Sequence, residues 1–329
     1  MTHGTVLTRK ARVVGGLICA VLAVIELGWM IRDMDHVGPH DTVWTWFGAM
    51  LPGFYHAPLA TSQSDVVLLA VYAGACVVST RSAGSGALVT AAVFTLALRT
   101  PTVWIFSSDW TEGLPDRTRL LLTGITQVVA AVALIVTVIV SRRPADNPAL
   151  GTPPARPRRV PAAVAGALLA LYGLIGVAWQ FYLMGKYTSK SAGPRSYEQL
   201  FTGEYTIGSL LGAPPAWNGW AIVALCLLTA AQAFVRTPVA RMSGPALGLT
   251  LSVSGAATLI FYHTAHMPFT LDAPTSEVLQ RLTLVLEIAV GIAALSLFAL
   301  RDRGRTPTST PPDWQPPAPA YGDWKSPGA

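Results

Sequence analysis

Apolar runs of about the length that spans a bilayer recur along this chain, and they constrain its fold more than any motif does. A hydrocarbon core about 30 Å thick takes roughly 20 apolar residues in an α-helix. Eight runs of that kind stand at about 13–31, 65–80, 86–105, 119–141, 162–184, 217–236, 244–263 and 280–300. The second is short, and the third contains Arg99. Only 12% of the 329 residues are charged and the mean hydropathy is +0.47, whereas a soluble domain carries about 25% charged residues. A water-soluble enzyme is disfavoured, and the fold expected is an all-α, polytopic membrane bundle of eight transmembrane helices. The three cysteines, Cys19, Cys76 and Cys226, lie inside apolar runs without paired spacing and read as small buried hydrophobes.

Basic residues give the expected orientation. With the N-terminus in the cytoplasm, fifteen of the 23 Lys and Arg and only four of the 17 Asp and Glu fall on that side. The spans and outer loops then hold an acidic excess. Both termini are expected in the cytoplasm and the chain in the cell membrane. Arg9, Lys10 and Arg12 precede the first run, which continues through Trp29 and Ile31 with no small-residue cleavage pair. It reads as an uncleaved signal anchor.

A Pro- and Arg-rich linker at 142–161 divides the chain into similar halves, 13–141 and 162–303, flanked by a cytoplasmic N-terminus, 1–12, and a tail, 304–329. Each half opens with a span ending near a Trp (VIELGWM, IGVAWQF), continues into a loop of about thirty residues, and closes with a span ending in a basic cluster. The pattern predicts two parallel four-helix repeats, related by an axis along the membrane normal, with a cavity between them. The tail is rich in Pro, Thr and Ser and is expected to be disordered.

Polar side chains inside spans mark candidate sites, because burying them in hydrocarbon is costly. They are Glu26, Arg99, Gln127, Gln180, His263 and Glu287, with Gln232 nearer the inner side. At 1.5 Å per residue, Glu26, Arg99 and Glu287 each lie about 8–10 Å below the outer end of their spans. One reading is an interhelical ion pair that fixes packing. The other is an outward cavity in which one carboxylate pairs with Arg99 and another stays protonated. Eight of ten tryptophans, Trp29, Trp104 and Trp179 among them, fall on the outer half, as do Tyr182 and His263. An interfacial belt alone would have placed some tryptophan on the inner side, and rings above an apolar cavity stabilise cations. Pro101 is expected to kink its span. Asp33, Asp35, His36, His40 and Asp41 are of metal-ligating types, but Gly38 and Pro39 break any helical register between the histidines, and no metal is expected. DDxxD pairs, phosphate loops and GxSxG are absent, and no cofactor or nucleic-acid partner is expected.

An eight-span chain of this size, with Glu26, Asp33, Asp109 and Glu287 in an outer half rich in tryptophan, resembles the bacterial integral-membrane terpene cyclases of meroterpenoid pathways. The resemblance covers the chain to about residue 300. It implies metal-independent, proton-initiated cyclisation of a lipophilic isoprenoid substrate. Glu26 or Glu287 would be the proton donor, with Asp33 or Asp109 as competitors at the mouth. Trp29, Trp104 and Trp179 would be cation-stabilising walls, with Tyr182 and His263 beside the substrate, and Arg99 would set the ionisation of a neighbouring carboxyl. A proton-coupled transporter suits the repeats and the intramembrane charges as well, and a membrane sensor or assembly protein is a third class.

Overall fold

The computed structural model describes residues 5–49, 59–81, 83–144, 156–188, 196–267 and 274–300. The tail from 304, most of the linker and part of the first outer loop, His56 included, lie outside the described residues. The elements are β1 (Thr5–Leu7), α1 (Arg9–Val37), α2 (Pro39–Trp46), α3 (Gln63–Ser79), α4 (Gly84–Ser107), α5 (Arg117–Val140), β2 (Arg142–Pro144), α6 (Arg159–Thr188), α7 (Tyr197–Thr202), α8 (Pro215–Phe234), α9 (Ala240–Thr264) and α10 (Thr275–Ala299). Each apolar run read from the sequence is a helix. Seven of these helices are long and apolar enough to cross a membrane, and α3, with 17 residues, is a shorter apolar helix. The chain is a helical membrane bundle.

Its outer surface is what hydrocarbon requires. Large apolar residues of α1, α5, α6 and α10, such as Leu17, Val24, Val129, Ile139, Leu174 and Val285, stand exposed on the bundle surface. By contrast, α4 is central: 61% of its apolar window is buried, against 28% for α5 and α10. Helix ends follow ordinary capping chemistry. Thr8 caps α1, and Ser62 with Asp65 forms a capping box at α3. The short strands β1 and β2 pair antiparallel, with Leu7 opposite Arg142, so the start of the chain is tied to the end of α5.

Helix contacts fall into two closed rings. In one, α1 packs on α3, α3 on α4, α4 on α5, and α5 returns to α1; in the other, α6 packs on α8, α8 on α9, α9 on α10, and α10 returns to α6. The rings meet where α3 touches α9, α4 touches α8, and α4 touches α9. Without a hydrophobic force between helices in lipid, close approach depends on small residues. Gly244, Gly248 and Gly255 of α9 face Phe298, Gly291 with Leu295, and Ile288 of α10, while Gly166, Gly173 and Gly176 of α6 face α8.

The proline inside α4 acquires a use. Pro101 lies inside α4 and has no N–H to give the carbonyl of Ala97, four residues earlier. That carbonyl accepts instead from Trp217 Nε1 of α8, at 2.7 Å. A backbone group orphaned by proline becomes a bond between the two rings of helices.

Gly248→Ala would put a Cβ 2.7 Å from the Gly291 carbonyl oxygen and 2.9 Å from the Leu295 nitrogen, both backbone. It should destabilise the detergent-solubilised protein by about 1–3 kcal/mol in thermal unfolding, whereas Gly28→Ala, with nothing within 4 Å, should leave it unchanged. Trp217→Phe keeps the ring and strands the Ala97 carbonyl, and should cost about 1–3 kcal/mol in the same measurement.

Candidate functional site

Sequence depth alone placed Glu26, Arg99 and Glu287 together. The structure brings two of them into one cluster and sets the third in the other helix ring. Arg99, in the second half of α4, is fully buried. Its Nη2 donates to Glu26 Oε1 of α1 at 2.8 Å and also to Asp65 Oδ1 of α3. Its Nη1 reaches 2.5 Å across to the carbonyl of Leu211, in the segment that precedes α8. Gln127 of α5 donates its amide to the same Glu26 Oε1 at 2.8 Å. Asp65 Oδ2 turns to its own helix start, where it takes the N–H and hydroxyl of Ser62 at 2.6 and 2.9 Å. All four helices of the first ring contribute to one buried ionic cluster. Asp65 was not among the sequence candidates, because it sits at the margin of its apolar run. The capping pattern Ser62–Asp65 was its legible signal.

Asp33 is equally committed. Its carboxylate accepts from the Ala60 and Thr61 N–H groups at 3.1 and 2.7 Å and from the Thr61 hydroxyl at 2.6 Å, and it pairs with Arg32 at 2.8 Å. The strand of loop it holds bonds in turn to the second half: the N–H groups of Leu210 and Leu211 donate to the carbonyls of Leu59 and Ala60. Asp33 therefore braces the same junction that Arg99 reaches from below. Asp109 lies exposed on a 3-10 turn, and His263 is exposed at the end of α9. Trp104 stacks edge-on against Trp217, at 4.9 Å between ring centroids, and gives its N–H to the Thr202 carbonyl.

A second constellation occupies the seam between α6 and α10. Glu287 of α10 lies beside the hydroxyls of Tyr172 and Ser254, and forms no ion pair among the described residues. One turn earlier on α10, Thr283 accepts a hydrogen bond of 3.0 Å from Trp179 Nε1, and the Trp179 ring packs edge-on against Tyr182 at 5.4 Å. Glu287 is half-buried and Tyr182 is exposed, whereas Glu26 is fully buried. Tyr172 and Ser254 were invisible to sequence reasoning, since a lone Tyr or Ser in an apolar run carries no spacing signal.

The first ring contains a matching arrangement: Trp29 Nε1 donates to Thr123 of α5 at 3.1 Å. Gln127 follows Thr123 by four residues, as Glu287 follows Thr283. At equivalent positions one ring carries an amide joined to an ion cluster and the other a carboxyl among aromatic and hydroxyl groups. Among the described residues no group of His, Cys, Asp and Glu is arranged to hold a metal ion.

Two cavities lie where the rings meet. One, of about 330 Å³, is lined by Thr45, Thr61, Ser62, Gln63, Ser209 and Asn218 near the start of α3. The other, of about 270 Å³, is apolar and lined by Ala70, Gly74, Ala75, Ala87, Met242 and Pro245. Buried Val67 stands between them on α3.

Arg99→Leu removes the cation and leaves two carboxyls buried without it. The variant should lose about 3–5 kcal/mol of stability, read as a fall in midpoint during thermal unfolding of the purified protein. No protein-family model, curated protein or solved structure matches the chain.

Proposed function

We propose that this chain is a membrane-embedded enzyme that cyclises a lipophilic isoprenoid substrate by protonation, with Glu287 as the proton donor. The observation that carries the reading is the setting of Glu287: a half-buried carboxyl without an ion-pair partner among the described residues, beside Tyr172 and Ser254 and one turn from the Trp179–Tyr182 pair. In its neutral form such a carboxyl can give its proton to an alkene carbon or an epoxide oxygen. Aromatic faces nearby stabilise the cation that results, and loss of a proton from that cation closes the cycle as an isomerisation. Glu26, held by Arg99 and Gln127 and fully buried, belongs to the framework in this reading.

The architecture goes with it. We read eight spans, α3 included, arranged as two parallel four-helix repeats, with both termini in the cytoplasm of the cell that carries the protein in its membrane. Support comes from the identical order of contacts in the two rings and from the paired Trp–Thr bonds of Trp29 and Trp179. A proton-coupled transporter is a second reading, favoured by the two cavities at the junction of the rings, one polar and near the start of α3, the other apolar and further along it.

Membranes containing the protein should convert a farnesylated or epoxidised aromatic substrate into a cyclic product. Glu287→Gln should lower that turnover about 10²–10⁴-fold at unchanged expression. A fully active Glu287→Gln variant refutes the acid assignment, and proton-gradient-dependent uptake with no cyclic product would place the protein among transporters.

A further inference from the structure

Among the described residues, three polar atoms at the centre of the Arg99 cluster have no hydrogen-bond partner: Glu26 Oε2, Gln127 Oε1 and Arg99 Nε. The hydroxyl of Thr102, one turn along α4, is a fourth. All belong to buried side chains, where an unmade hydrogen bond is expensive. Their chemistry differs. Arg99 Nε can only donate and Gln127 Oε1 can only accept. Glu26 Oε2 accepts when the carboxyl is ionised and donates when it carries the proton.

An ionised Glu26 beside a guanidinium would be expected to take Nη2 and Nε together in a two-pronged pair. Instead Nη2 alone reaches Oε1, at 2.8 Å, and both Oε2 and Nε are left over. On the other side, Gln127 Nε2 donates to that same Oε1 at 2.8 Å. The unmatched atoms of this amide–carboxyl pair are then Gln127 Oε1 and Glu26 Oε2. Both are acceptors while Glu26 is ionised, and a proton on Oε2 turns one of them into a donor.

Charge leads to the same place. The groups facing Glu26 are Arg99 of α4, Asp65 and the Tyr72 hydroxyl of α3, and Gln127 of α5, with the Cys19 thiol of α1 near Tyr72. Tyr72 is occupied by Thr95, at 2.8 Å. Arg99 and an ionised Asp65 cancel, so an ionised Glu26 would leave a net negative charge in a site sealed from water, which is heavily disfavoured. A bound cation would balance it too, but hard cations gather six or more oxygen ligands, and unmatched acceptors are far fewer here.

We propose that Glu26 is a buried proton-binding site, with the proton on Oε2 shared with Gln127 Oε1, so that an acid–amide pair joins α1 to α5 and Asp65 alone neutralises Arg99. The proposal uses a different carboxyl from the cyclisation reading and stands or falls without it. A proton held in the folded protein and released on unfolding stabilises the fold at low pH, and that stability is lost as pH rises through the range where the buried acid ionises.

Infrared spectroscopy of the protein in lipid nanodiscs at neutral pH tests this. The wild type should show the carbonyl stretch of a protonated carboxylic acid, and Glu26→Gln should lose that band while Glu287→Gln keeps it. Gln127→Leu should retain the band and shift it to higher frequency, because the acid has lost its acceptor; this variant carries the test should Glu26→Gln fail to fold. Coincident spectra of wild type and Glu26→Gln in that region, or an unshifted band in Gln127→Leu, would overturn the proposal. So would stabilisation by sodium over potassium at equal ionic strength that Glu26→Gln abolishes, since a cation would then occupy the site.

Discussion

A guanidinium sealed inside a membrane bundle must find partners for its charge, and most of the architecture around Arg99 follows from that need. Its two terminal nitrogens draw in α1, α3 and, through a carbonyl, the segment leading to α8. Because Arg99 lies on the most buried helix, satisfying it fixes the rotation of that helix against three neighbours at once. The carboxylate of Asp33 performs a related task nearer the membrane surface, holding the loop whose backbone bonds to Leu210 and Leu211. The junction between the helix rings is thus held by polar bonds at two levels, with the Trp217–Ala97 bond as a third.

In lipid such bonds carry more of the specificity than they would in water. Apolar side chains gain little by leaving hydrocarbon for another apolar surface, so helix pairs depend on close glycine contacts and on scattered hydrogen bonds. The contacts of Gly248 with Gly291 and of Gly166 with α8 illustrate the first. The bonds of Trp29 and Trp179 to threonines illustrate the second. The two rings share this scheme and differ in one respect. The first spends its polar groups on a closed ionic cluster. The second leaves Glu287 beside hydroxyls and aromatic rings, with no cation bound to it among the described residues.

Much of the fold was legible in the sequence, because hydrocarbon imposes a length on every helix that crosses it. All the apolar runs became helices, although α1 and α6 extend further at their ends than hydropathy alone indicates. The unforeseen elements, α2, α7 and the β1–β2 pair, are short and polar enough to give no such signal. The site was read less completely. Glu26, Arg99 and Gln127 announce themselves as polar residues in apolar runs. Asp65 does not, because at a helix start an aspartate has an ordinary capping role, and its second partner is 34 residues away.

By itself the sequence determined that the chain is a bundle of apolar helices with a few buried polar groups that must find one another. Depth along each helix follows from residue counting, and that much was settled before any packing. Which groups meet was decided only by tertiary structure, since the rotation of each helix about its axis depends on its neighbours. Glu26 and Glu287 lie at similar depth, yet one is clasped by Arg99 and Gln127 and the other faces Tyr172 and Ser254. Equal depth in a membrane is a one-dimensional fact, and partnership needs the other two dimensions.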